Sequence, residues 1–253
     1  MIVAVEAQVL RIGDLDVTVK ISDRRRSVGL TIERDATITA IVPPETNEDW
    51  LAKAITAKQP WLFAKLRERA ETGLPRPPRE YVSGEGFPYL GRSYRLLLVD
   101  EAPTPVRLWR GRLELRRDRV DDAAGHLIQW YRTVGKPWLE RRSAPWAQRM
   151  TVNVSALRVR SLGYRWGSCN PDGTVNIHWA IMQLSPDLID YVLVHELAHI
   201  CHRDHGLAFW RAVERAMPDA SVRRARLRLA GSGLWLPEVA ITRGVTASRG
   251  RTW

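Results

Sequence analysis

The sequence is poor in cysteine and has no long apolar run, and each shortage excludes a class of protein. Its 253 residues include only two cysteines, Cys169 and Cys201, too few for the disulfide framework of many secreted domains. No apolar run reaches the length of about 20 residues that a membrane-spanning helix needs. The N-terminal segment carries Glu6 inside its apolar stretch and no basic residue ahead of it, unlike a secretory signal. We therefore expect a cytoplasmic protein without membrane contact.

Acidic residues are also scarce, since 28 Asp and Glu stand against 39 Lys and Arg, a formal net charge of +11. An excess of positive charge favours contact with polyanions, so a basic surface that contacts nucleic acid is one hypothesis. Ordinary solvated charge is the alternative, because the basic residues are scattered and no aromatic-interleaved recognition motif accompanies them. The sequence also contains no glycine-rich phosphate-binding loop.

The pattern of apolar and polar residues divides the chain into parts and predicts an α+β protein. Residues 1–118 are predicted to form a β-rich N-terminal region with one helix and a proline-rich linker, GLPRPPRE, at residues 73–80. Residues 119–230 are predicted to form the core that contains the histidine-rich stretch described below, and residues 231–253 a weakly structured basic tail. Strands are predicted near residues 15–21, 27–33, 36–42, 94–99, 106–109, 112–115, 156–161 and 175–184. Helices are predicted near residues 46–70 with a kink at Pro60, 121–150 with bends or breaks at Pro137 and Pro145, 186–200 and 207–217.

Four of the six histidines lie in one stretch, HELAHICHRDH, at residues 195–205. Residues four apart share a helix face, so His195 and His199 are spaced to bind one metal ion, with Glu196 beside them. This is the H-E-x-x-H pattern of zinc hydrolases. The preceding residues, LIDYVLV, are almost wholly apolar and predict a buried helix. Burying two imidazoles and a carboxylate without a partner is costly, so the sequence predicts a zinc site.

The spacing of the residues does not by itself identify the third metal ligand. His205 has the spacing of the third histidine in H-E-x-x-H-x-x-G-x-x-H, but His202 occupies the position of that glycine. His202 itself follows His199 by three residues. Glu214, on the next predicted helix, is a further candidate, because some zinc hydrolases use a downstream glutamate.

A resemblance to a known family bears on that choice. The segments RWGSC at residues 165–169, DYV at 190–192, HELAH at 195–199 and HGLAFW at 205–210 resemble the YgjP-like metallopeptidase family, which is related to the SprT-like and WLM zinc peptidases. The segments RRRSVGLTIERDATITAIVPP and YLGRSYRLLL are similar to the family's β-rich N-terminal portion, so the resemblance covers roughly residues 15–217. It implies a zincin-like core, zinc ligands at His195, His199 and His205, and a catalytic glutamate at Glu196. The family more often has Asn where His178 stands, and the chain beyond about Asp219 departs from the family's usual ending.

The resulting hypothesis is hydrolysis of peptide bonds, with Glu196 as the general base that accepts a proton from the attacking water. Candidate contacts to the cleft or the transition state are Arg165, His178 and His202. The strand predicted at residues 175–184 offers a free edge to an extended peptide, with Trp179 in the core and His178 solvated.

Two other functions remain as hypotheses. The same water activation would serve a zinc-dependent hydrolase of nucleotide phosphoanhydrides, whose polyanionic substrates a basic protein attracts. The basic surface would equally suit a module that associates with nucleic acid or nucleoprotein and has restricted protease activity. Both cysteines are interpreted as buried thiols, and the Arg165-Trp166-Gly167 segment mainly as a structural turn.

Overall fold

The computed structural model describes residues 8–13, 15–23, 25–32, 37–72, 79–163 and 165–237, apart from the side chains of residues 64 and 67–72. The chain forms two compact units, residues 1–77 and 78–253, which are described separately. Strands and helices occur in both units, which confirms the α+β class. None of the described helices is long and apolar enough to cross a membrane.

The first unit packs two helices on a small sheet. Its elements are β1 (Gln8–Ile12), β2 (Leu15–Ile21), β3 (Gly29–Ile32), β4 (Ile38–Val42), α1 (Glu48–Ala57) and α2 (Gln59–Thr72). The strand order is β1-β2-β4-β3, in which β2 and β4 are parallel and the other pairs antiparallel. Asn47 caps α1, because its side chain accepts a hydrogen bond from the Trp50 amide at 3.0 Å. The predicted kink near Pro60 corresponds to the division between α1 and α2 at Lys58.

The second unit begins with a sheet of the same topology. Its strands are β5 (Gly86–Tyr89), β6 (Arg92–Val99), β7 (Val106–Trp109) and β8 (Arg112–Arg116), in the order β5-β6-β8-β7. The pair β6 and β8 is parallel, as are β2 and β4 in the first unit. A 3₁₀ turn at Arg117–Asp122 leads into α3 (Ala123–Met150), a helix that includes Pro137 and Pro145 without interruption. Buried side chains before and after the prolines, such as Tyr131 and Leu139, compensate the backbone hydrogen bonds that prolines cannot donate.

The remaining elements form the layer that carries the histidine stretch. They are β9 (Ala156–Arg160), β10 (Gly167–Cys169), β11 (Thr174–His178), a 3₁₀ turn (Trp179–Gln183), α4 (Pro186–Cys201), α5 (Leu207–Ala216) and α6 (Ala220–Ser232). In this sheet β11 is central, antiparallel to β10 and parallel to β9. The core of the second unit is continuous from the β5–β8 sheet through α3 to α4.

The predicted strand at 175–184 is too long, because the backbone turns into the 3₁₀ helix after His178. The His178 imidazole causes this change locally: its Nδ1 accepts a hydrogen bond from the Ala180 amide at 3.1 Å and caps the turn. The helix α6 is absent from the predictions, since a sequence rich in arginine buries only a narrow stripe, including Ala220, Leu227 and Gly231.

The described residues after α6 are attached to the core by hydrogen bonds from Gln183 and by the packing of Trp235. The Gln183 amide group bonds both backbone groups of Trp235, donating to its carbonyl and accepting from its amide, each at 2.9 Å. The Trp235 ring contacts Phe87 and Trp179 at centroid distances of 5.5 and 5.6 Å. Residues 231–237 of the predicted tail therefore include the end of α6 and a buried tryptophan, and residues 238–253 lie outside the described part.

The two compact units divide within the linker predicted at 73–80, where residues 73–78 lie outside the described part. The sheet β5–β8 thus belongs to the same unit as the histidine stretch. The boundary predicted at residue 118 concerned the beginning of a catalytic core, and it stays a prediction.

Candidate metal centre

The helix α4 determines where the histidines lie. Ser185 and Pro186 begin it, with proline in the first turn where its missing amide hydrogen has no cost. Every side chain from Leu188 to Ala198 is buried, because α3, α5, α6 and β10 all pack against this helix. His195 and Glu196 are accordingly 0% exposed.

The structure brings His195, His199 and His205 together. The helix ends as His202 adopts an extended conformation, and the chain then turns back so that His205 precedes α5, whose N-cap is Gly206. One ligand atom of each histidine lies within 4.8 Å of those of the other two. The Nε2 atoms of His195 and His205 are 3.1 Å apart. Phe209 packs against all three rings, at centroid distances of 4.6 to 4.8 Å.

These distances fit a zinc ion. Two Zn–N bonds of about 2.1 Å at a tetrahedral angle place their nitrogens about 3.4 Å apart. The tautomer of His199 is also suited to a metal, because its Nδ1 donates a hydrogen bond to the His202 carbonyl at 2.9 Å. Such a bond to a backbone carbonyl fixes the ring of a metal-binding histidine and leaves the lone pair on Nε2.

The environment favours the neutral form of the three imidazoles, which is the form that binds metal. Burial lowers the pKa of His195 strongly, and repulsion from His199, His205 and Arg224 lowers it further. Burial also lowers the pKa of His199 and of His205.

Glu196 lies beside this cluster with both carboxylate oxygens buried and, within the described residues, without a hydrogen-bond partner. Burial raises its pKa to about 8, against the opposing effect of the Arg165 charge. A buried carboxylate without a partner is costly, and a metal ion with its water supplies what the carboxylate lacks. The residues present therefore fit a hydrolytic metal site.

The strand β10 covers the other side of Glu196. A β-carbon built on Gly167 would lie 2.5 Å from the Cγ, Cδ and Oε1 atoms of Glu196, so only glycine leaves room for this carboxylate. Among the residues that the structure describes, β10 pairs only with β11 and is therefore an edge strand of its sheet. The predicted free edge of the strand containing His178 is wrong, because β11 has β9 and β10 on its two sides.

The other predicted site residues lie at varied distances from the cluster. Arg165 is half-buried and close enough to Glu196 to affect its pKa. The prediction that His178 is solvated is wrong, because His178 is buried and its ring lies 6.1 Å from that of Trp166. The prediction that Trp179 lies in the core is confirmed. The His202 side chain is not part of the cluster, although its carbonyl orients His199.

Two further predictions have clear outcomes. Glu214 is exposed on α5 and is not part of the histidine cluster. Cys169 is half-buried and Cys201 is exposed, so the interpretation of both as buried thiols is wrong for Cys201. Cys201 is the last residue of α4, where the helix leaves the core.

Sequence reasoning missed Gly167, Trp210 and Arg224 as parts of the site. The Trp210 ring lies 5.9 Å from the His205 ring, and the Arg224 guanidinium lies 4.6 Å from the centre of Trp210. Trp210 was visible only as part of HGLAFW. Arg224 gave no signal, because the helix that carries it was not predicted.

Comparison with known proteins agrees with this geometry. The family model described as "YgjP-like, metallopeptidase domain" matches residues 26–230. Among solved structures, the crystal structure of the metallopeptidase zymogen of Pyrococcus abyssi abylysin is 24% identical, covers 37% of this chain and 95% of its own, and superposes with a TM-score of 0.35. That superposition is too poor to support any argument about this chain. No curated protein matches the sequence.

The family match runs from β3 and β4 of the first sheet to the helices that carry the histidines, well over half of the chain. Such coverage goes beyond the short H-E-x-x-H pattern, which alone is shared by many unrelated hydrolases. The chain is a hydrolase and belongs to the YgjP-like metallopeptidase family.

Proposed function

We propose that this protein is a zinc-dependent peptidase in which His195, His199 and His205 bind the metal and Glu196 is the general base. One observation carries the proposal: three imidazoles whose ligand atoms lie within 4.8 Å of one another, next to a fully buried carboxylate. Three neutral histidines leave a fourth position for water, as in catalytic zinc sites.

The chain's own residues have distinct tasks. Zinc, when bound, supplies Lewis-acid polarisation and acidifies water. Glu196 accepts a proton from the attacking water and delivers it to the leaving amine. Glycine at position 167 leaves room for the Glu196 carboxylate beside the three histidines, where any side chain would displace it. The positive charge of Arg165 stabilises the ionised form of Glu196. Phe209 excludes water from the underside of the three rings.

The peptide substrate binds along β10. This strand is at the edge of its sheet and contains Gly167, so an extended peptide paired to it passes next to Glu196. Arg165, just before β10, is the candidate contact for negative charge that develops on the substrate. His178 has no such role in this proposal, because it is buried and caps the turn after β11.

Metal analysis tests the ligand set. The purified protein is expected to bind about one zinc per chain, and His205→Ala to reduce the affinity by orders of magnitude, because one of three protein ligands is lost. Glu214→Ala is the matched control, since Glu214 is exposed on the helix that follows. Loss of zinc in Glu214→Ala, with His205→Ala unchanged, would show that the ligand set is wrong.

Activity measurements test the reaction. Zinc-loaded protein is expected to cleave casein-like proteins, and Glu196→Gln to keep zinc but lose about 10³-fold in rate, because the general base is gone. Glu214→Gln keeps full activity as the control. Hydrolysis of nucleotides alone, abolished in Glu196→Gln, would replace the peptidase by the phosphoanhydride hydrolase.

The location and the charged surface belong to the same proposal. We propose a cytoplasmic location, because two cysteines are too few for the disulfide framework of many secreted domains. Contact of the basic surface with nucleic acid, with proteolysis restricted to bound partners, stays a prediction. DNA binding that weakens steeply with added salt would support it, and absence of binding at low salt would exclude it.

A further inference from the structure

Three of the four arginines on α6, namely Arg223, Arg224 and Arg226, differ in their partners. Arg223 bonds Asp219 at 2.8 Å, and Arg226 bonds Asp187 at 2.6 Å. Arg224 has no carboxylate within 4.0 Å among the described residues and is exposed. Its guanidinium instead lies over the Trp210 ring, 4.6 Å from the centroid.

Trp210 connects this cation to the metal centre. Its ring is 5.9 Å from that of His205 and 6.0 Å from that of His195. The two contacts place the Arg224 guanidinium within roughly 11 Å of the His205 ring, the length of about three extended residues. This distance is short enough for one substrate to reach both Arg224 and the metal centre.

The chemistry of the guanidinium indicates what it binds. The stacked ring restricts the arginine side chain, so less entropy is lost when a ligand binds. A planar guanidinium without an acidic partner matches a carboxylate or a phosphate with two parallel hydrogen bonds. Without an anion, the charge also repels a site that binds a divalent cation, so an anionic ligand relieves that repulsion.

We infer that Arg224, positioned by Trp210, binds an anionic group of the substrate and makes this site selective for anionic substrates. The inference rests on the proposed hydrolytic site and names its substrate class. A side-chain or terminal carboxylate of a peptide and a phosphate of a nucleotide share the required chemistry, and the experiment distinguishes them.

Binding is measured on the zinc-loaded Glu196→Gln variant, which does not turn substrate over. The probes are fluorescein-labelled hexapeptides of alanine and leucine with one Asp at each position in turn, their Asn counterparts, and amidated forms, with unlabelled ATP as competitor. At one position Asp is expected to bind about tenfold more tightly than Asn, the strength of one charge-assisted bidentate pair near a surface. Adding Arg224→Gln removes that difference, Arg224→Lys restores part of it, and Arg226→Gln preserves it.

Equal affinity for the Asp and Asn peptides at every position, together with equal affinity for carboxylate and amide termini and no Arg224-dependent binding of ATP, would overturn the inference. So would an Asp preference that Arg224→Gln leaves unchanged. Arg224-dependent binding of ATP alone identifies phosphate as the anion. None of these binding measurements needs turnover. An absence of peptide hydrolysis in the parent protein would therefore refute the proposed peptidase, whereas only the binding measurements decide the role of Arg224.

Discussion

Gly167 and Glu196 approach each other so closely that a methyl group on Gly167 would lie 2.5 Å from the carboxylate. The two residues are on different elements, the edge strand β10 and the helix α4, which pack together here. Glu196 is fully buried, so its side chain cannot turn out to solvent to avoid an added methyl group. The position of the proposed general base therefore depends on the absence of a side chain in the neighbouring strand.

Gly167→Ala is expected to reduce kcat by about 10²-fold, because a base moved by about 1 Å loses its alignment with the attacking water. Zinc content is expected to stay at one per chain, since the three heavy atoms nearest to the added β-carbon all belong to Glu196 and not to a histidine. The measurement is kcat and KM with a casein-like substrate, alongside metal analysis.

Gly125→Ala is the matched control. Its β-carbon would also lie 2.5 Å from a carboxylate, but that of Asp122 is exposed and can move away. Unchanged kcat in Gly167→Ala would mean that Glu196 is not held by β10.

The buried Asp190 carboxylate connects α4 to α3. It accepts two hydrogen bonds from Arg142, both at 2.7 Å, and Arg223 approaches it at 4.0 Å. Arg142→Met is expected to lower the free energy of unfolding by about 3 kcal/mol, because the carboxylate stays buried without its main partner. Asp190→Asn should cost less, since the partly exposed Arg142 then turns to water.

Urea denaturation of both single variants and the double variant checks this asymmetry. The double variant is expected to be more stable than Arg142→Met. Arg226→Met, which removes an exposed ion pair with Asp187, should change stability by less than about 1 kcal/mol. A loss as large in Arg226→Met as in Arg142→Met would contradict the role of burial.

Trp235→Ala is expected to lower the free energy of unfolding by about 3–4 kcal/mol, because it removes a large buried ring from the aromatic core. Gln183→Leu should cost about 2 kcal/mol, since it leaves the amide and carbonyl of Trp235 without their partners. Thermal or urea unfolding measures both losses. Val222→Ala, at an exposed position of α6, is the control and should be nearly neutral.

The two cysteines should differ in their reaction with iodoacetamide. Burial, and to a lesser degree the negative charge of Glu196, raises the pKa of the Cys169 thiol to about 11. At pH 8 only about one thousandth of it is then thiolate, and its alkylation rate should rise about tenfold per pH unit up to pH 10. Mass spectrometry of Cys201→Ser isolates Cys169. Rapid alkylation of Cys169 in the folded variant at pH 8 would show that the thiol is not shielded.

Local geometry explains why part of the site was predictable. The helix repeat alone brings His195, Glu196 and His199 together, and the apolar residues before them predict that the helix is buried. Spacing could not decide between His205 and Glu214, since that depends on how the chain turns after Cys201. The family resemblance favoured His205, which the structure places in the cluster.

Long-range contacts explain what was missed. β10 has only three residues, too few for an alternating pattern, so its place beside β11 could not be foreseen. The cap that His178 places on the following turn is a side-chain bond that no periodicity reveals. The role proposed for Arg224 follows from its contact with Trp210 on α5, and a contact between two helices is not visible in the sequence.

The three histidines that would hold zinc lie within eleven consecutive residues, whereas the groups that complete the site come from β10 and α6. Closing so short a loop costs little entropy, so a nascent chain is expected to capture metal as soon as α4 and the following turn form. If Glu196 is the general base, hydrolysis is expected to begin only after Gly167 and its strand have docked on Glu196. We therefore expect metal loading and the onset of activity to be separate events in the assembly of the protein, so that a half-folded chain with bound metal is inactive.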